Sequence, residues 1–258
     1  MHKSRLSLLT FALFAVLFWW GLPAALAGEL SDAVKAGDIQ RVEALIAGGA
    51  KVKAHDFFGT PLHVAAAGGF PEIAKMLIDA GADLEAEGIG KGRPLHTAAL
   101  TNHAAVAALL IERGAKVDPL NAENMTPLLV AAENGNADAA EVLLKAGANP
   151  LAEGGNLHYA PIQLAAYSCR LAVVKLFVSK GLDLNLKNST NGETPLFAVA
   201  AEMGVHKQPA TMDCRIEMTQ LLLANGASPN VRDKNGNTPY QRATEPAIRD
   251  LLVKFGAK

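Results

Sequence analysis

The sequence predicts an all-α solenoid of about six to seven short helix-turn-helix units, caps included, joined by β-hairpin-like turns. Three observations predict it. Seven apolar segments each run into a glycine stop, at Gly49, Gly81, Gly114, Gly147, Gly181, Gly226 and Gly256. Six proline corners open the next segment, at Pro61, Pro94, Pro127, Pro161, Pro195 and Pro239. The first five corners are 33, 33, 34 and 34 residues apart. A fixed period of this length is the signature of stacked repeats, each too small to bury its own apolar face. Composition agrees: half of the 258 residues are hydrophobic and only 5% aromatic, which suits many small Ala/Leu/Ile/Val helices in close contact.

Residues 1–27 read as a separate object. Lys3 and Arg5 form a short basic start, an apolar run follows from Leu6 to Leu22, and Pro23 breaks it before Ala25-Leu26-Ala27. That order is a secretory signal peptide of bacterial style, with small residues at the cleavage point. An uncleaved inner-membrane anchor is the alternative, and both place the remainder outside the cytoplasm. Loss of 1–27 removes two basic residues and both tryptophans, taking the formal charge from −1 to −3. No basic run of five or more occurs, so nucleic acid and anionic membrane partners are unsupported.

The repeat domain spans 28–258. Residues 28–56 have two helical segments without a proline corner, as an N-terminal cap would. Residues 57–233 hold five full repeats, and 234–258 form a shortened C-terminal cap. The unit 57–88 is representative. Thr60 is placed to cap a helix whose first residue is Pro61, where the missing N–H costs nothing. Gly68 and Gly69 end that helix, Pro71 starts the next, and Ile73, Ala74, Leu77 and Ile78 form a stripe of helical period. Gly81 then stops it as a residue able to take positive φ. The positions four and three before each stop recur as apolar side chains, from Leu45-Ile46 to Leu252-Val253.

The pattern T-P-L-H-x-A-A, then a helix, then G-A and an Asp/Asn-rich turn, resembles the ankyrin repeat. Thr60–Ala66 and Arg93–Ala99 match it nearly throughout, and Asp233–Thr238 fits the turn. Two departures stand out. The motif histidine is kept at His63 and His96 but becomes Leu129, Gln163 and Phe197. In the family this histidine ties neighbouring turns, so its loss implies less regular stacking in the C-terminal half. Gly181 to Gly226 is 45 residues, and the excess falls near 204–213, between the two helices of its unit.

Cys169 and Cys214 each lie twelve residues before a stop, hence at equivalent positions in adjacent repeats. An exported compartment favours a disulfide between them, pinning the insertion. Helices stacked ~8–10 Å apart resist it, and two partly buried thiols are the alternative. Neither a CxxC pair nor accompanying ligands suggest a metal or redox site.

No sequence feature points to catalysis. His63 and His96 are 33 residues apart because the repeat places them there, and the other histidines lack ligand spacing. Nucleophile elbow, P-loop and HExxH patterns are missing. Asn124-Met125-Thr126 and Asn188-Ser189-Thr190 match a glycosylation sequon but read as turn residues. The expectation is therefore no enzyme, no cofactor and no metal.

The resemblance implies binding through a concave face made of hairpin tips and the exposed side of the first helices. On this chain the tips are Phe57, Phe58, Ile89, Lys91, Met125, His158 and Tyr159. The helix row is Ala67, Leu100, Glu133, Tyr167 and Ala201. Phe57, Phe58, Met125, Tyr159 and Tyr167 are the expected anchors, as aromatics and Met often anchor interfaces. Val205, His206 and Met212 on the insertion are a weaker candidate. The expected function is a non-enzymatic, monomeric, periplasmic module that binds another envelope protein, supporting or inhibiting an envelope enzyme. A secreted effector acting on a host protein is the alternative.

Overall fold

The computed structural model describes residues 28–56, 59–201 and 211–258. Residues 1–27, read above as a signal peptide, and Phe57, Phe58, Val205 and His206 lie outside the described residues. Among the described residues the chain is wholly helical, with seven helix pairs and no strand. The inner helices are α1 (28–35), α3 (Pro61–Gly68), α5 (Pro94–Leu100), α7 (Pro127–Asn134), α9 (Pro161–Tyr167), α11 (Pro195–Ala200) and α13 (Pro239–Arg242). The outer helices are α2 (Ile39–Ala47), α4 (Pro71–Asp79), α6 (Ala104–Glu112), α8 (Ala137–Lys145), α10 (Leu171–Ser179), α12 (Met212–Ala224) and α14 (Pro246–Lys254). The solenoid and its repeat number are as the sequence predicts.

The punctuation seen in the sequence sets the boundaries. Each corner proline is the first residue of an inner helix, where its fixed φ is already helical. The seven stop glycines all take φ between 74° and 98°, which ends each outer helix and turns the chain toward the next tip. One apolar core then runs the length of the stack, from Leu30 through Leu62, Leu95, Leu128, Ile162 and Leu196 to Ile248 and Leu252. Inner helices pack on inner and outer on outer, except that α10 and α12 meet only thinly.

Hydrogen bonds of two recurring kinds join neighbouring units. Gly90 O accepts from Ala122 N at 2.7 Å, Glu123 O from Gly155 N at 3.2 Å and Asn191 O from Lys234 N at 2.8 Å, stitching tip to tip. Three side chains at the starts of outer helices reach back to carbonyls near the end of the inner helix of the preceding unit. His103 meets Ala67 O at 3.1 Å, Asn136 donates to Ala99 O at 2.7 Å and Arg170 to Glu133 O at 2.7 Å. These bonds satisfy carbonyls that a helix end leaves without an internal partner.

The corners differ from expectation in one respect. At Thr60 the cap is the histidine: His63 Nδ1 accepts the Thr60 backbone N–H at 3.1 Å, and Nε2 lies 3.1 Å from Gly92 O. His96 repeats this with Arg93 N at 3.1 Å and Met125 O at 3.0 Å. A backbone N–H can only donate and a carbonyl only accept, so both rings are the neutral Nε2–H tautomer. The tie expected to be lost after His96 is kept at one corner, while at Thr194 no side chain caps the helix that carries Phe197. Gln163 takes the place of the ring: its Oε1 accepts Ala160 N at 2.9 Å and its Nε2 donates to Glu193 O at 2.6 Å. The amide presents the same acceptor and donor in the same order. At Leu129 the helix is capped by Thr126 Oγ1 instead, 3.3 Å from Leu129 N, and the leucine is fully buried.

Cys169 and Cys214 are bonded to each other, with Cα atoms 6.3 Å apart. Counting residues had placed them on stacked helices too far apart to bridge easily. In the structure Cys169 lies in the turn between α9 and α10, whereas α12 starts early enough to carry Cys214 in its first turn. A turn residue facing a helix residue closes the distance that two parallel helices would leave. Eleven residues, 201–211, separate α11 from α12, where other pairs have two or three.

The Asn188 side chain is buried, its Oδ1 accepting from Glu193 N at 3.0 Å, so that sequon is a turn residue.

Candidate functional site

The concave face divides into an open half and a filled half. Along the helix row, Ala67 and Leu100 are exposed and Glu133 half-buried, while Tyr167 and Ala201 are buried. The same change runs along the tips: Ile89 is 63% exposed, Lys91 is exposed, and Met125 and Tyr159 fall to 3% and 1%. His158, beside Tyr159, stays exposed.

The filled half is a second apolar cluster of Met125, Leu129, Val130, Tyr159, Leu164, Tyr167 and Ala198. Tyr159 and Tyr167 meet edge to face, with ring centroids 5.8 Å apart. The Tyr159 hydroxyl donates to Glu193 Oε2 at 2.7 Å, and Arg242 Nη2 lies 3.5 Å from Glu193 Oε1. Burial, then the hydrogen bond and charge of Glu193, push the Tyr159 phenol well above its usual value. Met125, Tyr159 and Tyr167 are therefore not exposed anchors, as the sequence led us to expect. Tyr159 is turned inward because Glu193 of the next repeat gives its hydroxyl a buried partner, and Met125 and Tyr167 pack in the same apolar cluster.

The open half is a groove of about 770 Å³ between the tips and the exposed faces of α3, α5 and α7. Of the residues expected to bind, it brings together Ile89, Leu100, Met125, Glu133 and Ala67. Ile89 stands on one wall, on the short 3-10 turn Ile89–Lys91, and Leu100 on the other, at the end of α5 with 51% of its surface exposed. Met125 and Val130 close the groove where the second cluster begins. Lys91, His158, Tyr159 and Tyr167 do not line it.

Sequence reasoning did not single out Val64, Thr97, Val130 and Glu123, which also line this space. A signal was present: the tip Gly88-Ile89-Gly90-Lys91-Gly92 separates its two side chains with three glycines, whereas Leu157-His158-Tyr159 carries three large side chains in a row. Missing bulk leaves a hollow, and bulk fills one.

His63 and His96 border the groove with both ring nitrogens engaged, and burial holds both below the usual histidine value, so they stay neutral. Among the described residues no group of three His, Cys, Asp or Glu side chains is placed to hold a metal ion.

A sequence profile described as ankyrin repeats matches residues 30–121, 87–154, 118–188 and 162–258. Over 65 residues the chain is 43% identical to human protein phosphatase 1 regulatory subunit 27, and equally to the mouse protein. That stretch is 25% of this chain and 42% of the relative's length, so less than half of the relative is represented. Two solved structures superpose along most of the stack. The human ASB11 ankyrin repeat domain gives a TM-score of 0.73 at 25% identity, covering 89% of this chain and 98% of that one. The ankyrin repeat domain of Bcl-3, of the IkappaB protein family, gives 0.71 at 21% identity, covering 87% and 97%.

Proposed function

The chain belongs to the ankyrin-repeat family, and from that premise we propose that it is a protein-binding module which grips a partner in the groove between Ile89 and Leu100. Ankyrin repeats are typically non-catalytic interaction modules, so the working surface is a preorganised shape rather than a reactive group. One observation carries the placement. The groove is open and apolar-walled over the second to fourth helix pairs, and the same face is filled by the chain's own side chains beyond them.

The proposed setting is the periplasm, with residues 1–27 as the export signal. The proposed role is to regulate an envelope enzyme by supporting or occluding it. The stretch shared with a phosphatase regulatory subunit supports an enzyme-regulating role.

The test is expression of the whole chain, leader included, in a two-membrane bacterium, followed by cell fractionation and cross-linked co-purification. The expected result is recovery in the periplasmic fraction with a specific protein, lost on Leu100→Arg and kept on Leu151→Arg. Leu151 is 58% exposed but outside the groove, so it controls for surface charge alone. Retention of the partner by Leu100→Arg would move the site off the groove, and recovery from the medium would overturn the periplasmic setting.

A further inference from the structure

The tip that carries Ile89 runs into α5 through two consecutive backbone groups, each held by an imidazole. Gly92 O accepts from His63 Nε2 at 3.1 Å, and the Arg93 backbone N–H donates to His96 Nδ1 at 3.1 Å. His63 ties this exit back to the start of α3, where its Nδ1 accepts the Thr60 N–H, and His96 ties it forward to Met125 O. His63 also fills the space between two tips: a Cβ at Gly88 would lie 2.8 Å from its Nε2, and one at Gly59 2.9 Å from its Cγ. The Ile89 wall of the groove therefore rests on two rings that themselves line the groove.

Both ties need a neutral ring, because Nδ1 accepts a backbone N–H only while it carries no proton. At His96 a proton there sets two donors against each other, so the ring has to turn, which also takes Nε2 from its carbonyl. At His63 the Thr60 hydroxyl, 2.9 Å from Nδ1, can accept from the new N–H, but the Thr60 backbone N–H is then left buried without its acceptor. The charged and titratable groups facing His63 are His55 and Asp56 on the tip before it and Arg93 on the tip after it; those facing His96 are Arg93 and His63. Asp56 already accepts from Ser31 Oγ at 2.9 Å and lies 3.8 Å from Lys35 Nζ, so an imidazolium meets the Arg93 cation before it meets a waiting carboxylate. Lys35, Glu123 and Glu133 line the groove around them. Gln163 holds the Ala160 N–H and Glu193 O with an amide, which does not titrate.

We propose that acid releases the Ile89 tip, so that the groove keeps its shape at neutral pH and loses it when His63 and His96 take up protons. The released tip binds up to two protons that the held one excludes, so acidification below pH ~6.5 favours it. That a bound partner leaves with the change rests on the groove being the binding face.

The test is amide hydrogen exchange read residue by residue on the unaltered protein, each rate taken relative to its intrinsic value at that pH. Between pH ~7 and ~5 the Thr60 and Arg93 amides should lose roughly tenfold or more in protection, while Ala160, held by Gln163, keeps its own. Nitroxide labels on Ile89→Cys/Leu100→Cys should move apart over the same range; the native cysteines are bonded to each other and take no label. Protection kept at Thr60 and Arg93 down to pH ~5, or lost equally at Ala160, would overturn the proposal. So would labels that stay at one separation while those two amides open. A co-purified partner that stays bound although the labels have moved apart would support the acid response and count against the groove as the binding face.

Discussion

The Tyr159 hydroxyl donates to Glu193 Oε2 across a repeat boundary, at 2.7 Å, from a side chain 1% exposed. Glu193 O in turn accepts from Gln163, and its carboxylate faces Arg242. This pair closes the C-terminal half of the concave face and holds three repeats in one arrangement. Tyr159→Phe leaves a buried carboxylate oxygen without that donor and should cost about 1–3 kcal/mol. Urea unfolding measures it, and groove binding should not change, because Tyr159 lies outside the groove.

The same pair makes the fold sensitive to alkali. The folded phenol lies above its unfolded value, so its contribution is complete below pH ~10 and is lost as pH rises beyond that. Wild type should therefore destabilise more steeply above pH ~10 than Tyr159→Phe. Equal slopes would mean that Tyr159 takes no part.

His63 and His96 act at the other end of the scale. Burial lowers both, so the unfolded chain binds protons that the folded one refuses. Their stability is intact above pH ~6.5 and is lost as pH falls below it. Gln163 already shows that an amide serves in this position. The His63→Gln/His96→Gln variant should fold at neutral pH, and its melting temperature should depend less on pH between ~6.5 and ~5. A dependence as steep as that of wild type would rule the two rings out.

Cys169 sits at φ 56°, in the turn position held by Gly69, Asn102 and Gly135 in the preceding units. A side chain there costs about 1 kcal/mol relative to glycine. The bond to Cys214 closes a loop of 45 residues and should contribute about 2–4 kcal/mol. Reductant should lower the midpoint of the C-terminal units. Among bond-free variants, Cys169→Gly/Cys214→Ser should be more stable than Cys169→Ser/Cys214→Ser by about 1 kcal/mol. The reverse order would show that the turn does not need left-handed backbone.

Gly154 is needed for space. A Cβ there would lie 2.2 Å from Asn124 O and 2.7 Å from Leu129 Cδ1, between two consecutive tips. Gly154→Ala should destabilise by ~1–3 kcal/mol through backbone displacement. An unchanged melting temperature would show that the tips separate freely.

The architecture was legible because its determinants are local. A proline at an inner-helix start, a glycine in the left-handed stop and an aliphatic pair before it act within one unit, so the period and the core positions from Leu45 to Leu252 read directly from the chain. The exchange of His for Gln163 misled because a difference of residue name hid an identity of hydrogen-bonding atoms. The placement of Tyr159, Tyr167 and Met125 was not legible, since a tip side chain turns in or out according to what a unit some 33 residues away provides. Glu193 provides a buried acceptor for Tyr159, whereas the glycine-rich tip around Ile89 leaves its neighbours uncovered. The sequence by itself determined that this protein is a stacked binding surface. Only the tertiary structure decided which half of that surface is open, because exposure belongs to pairs of repeats and not to any one of them.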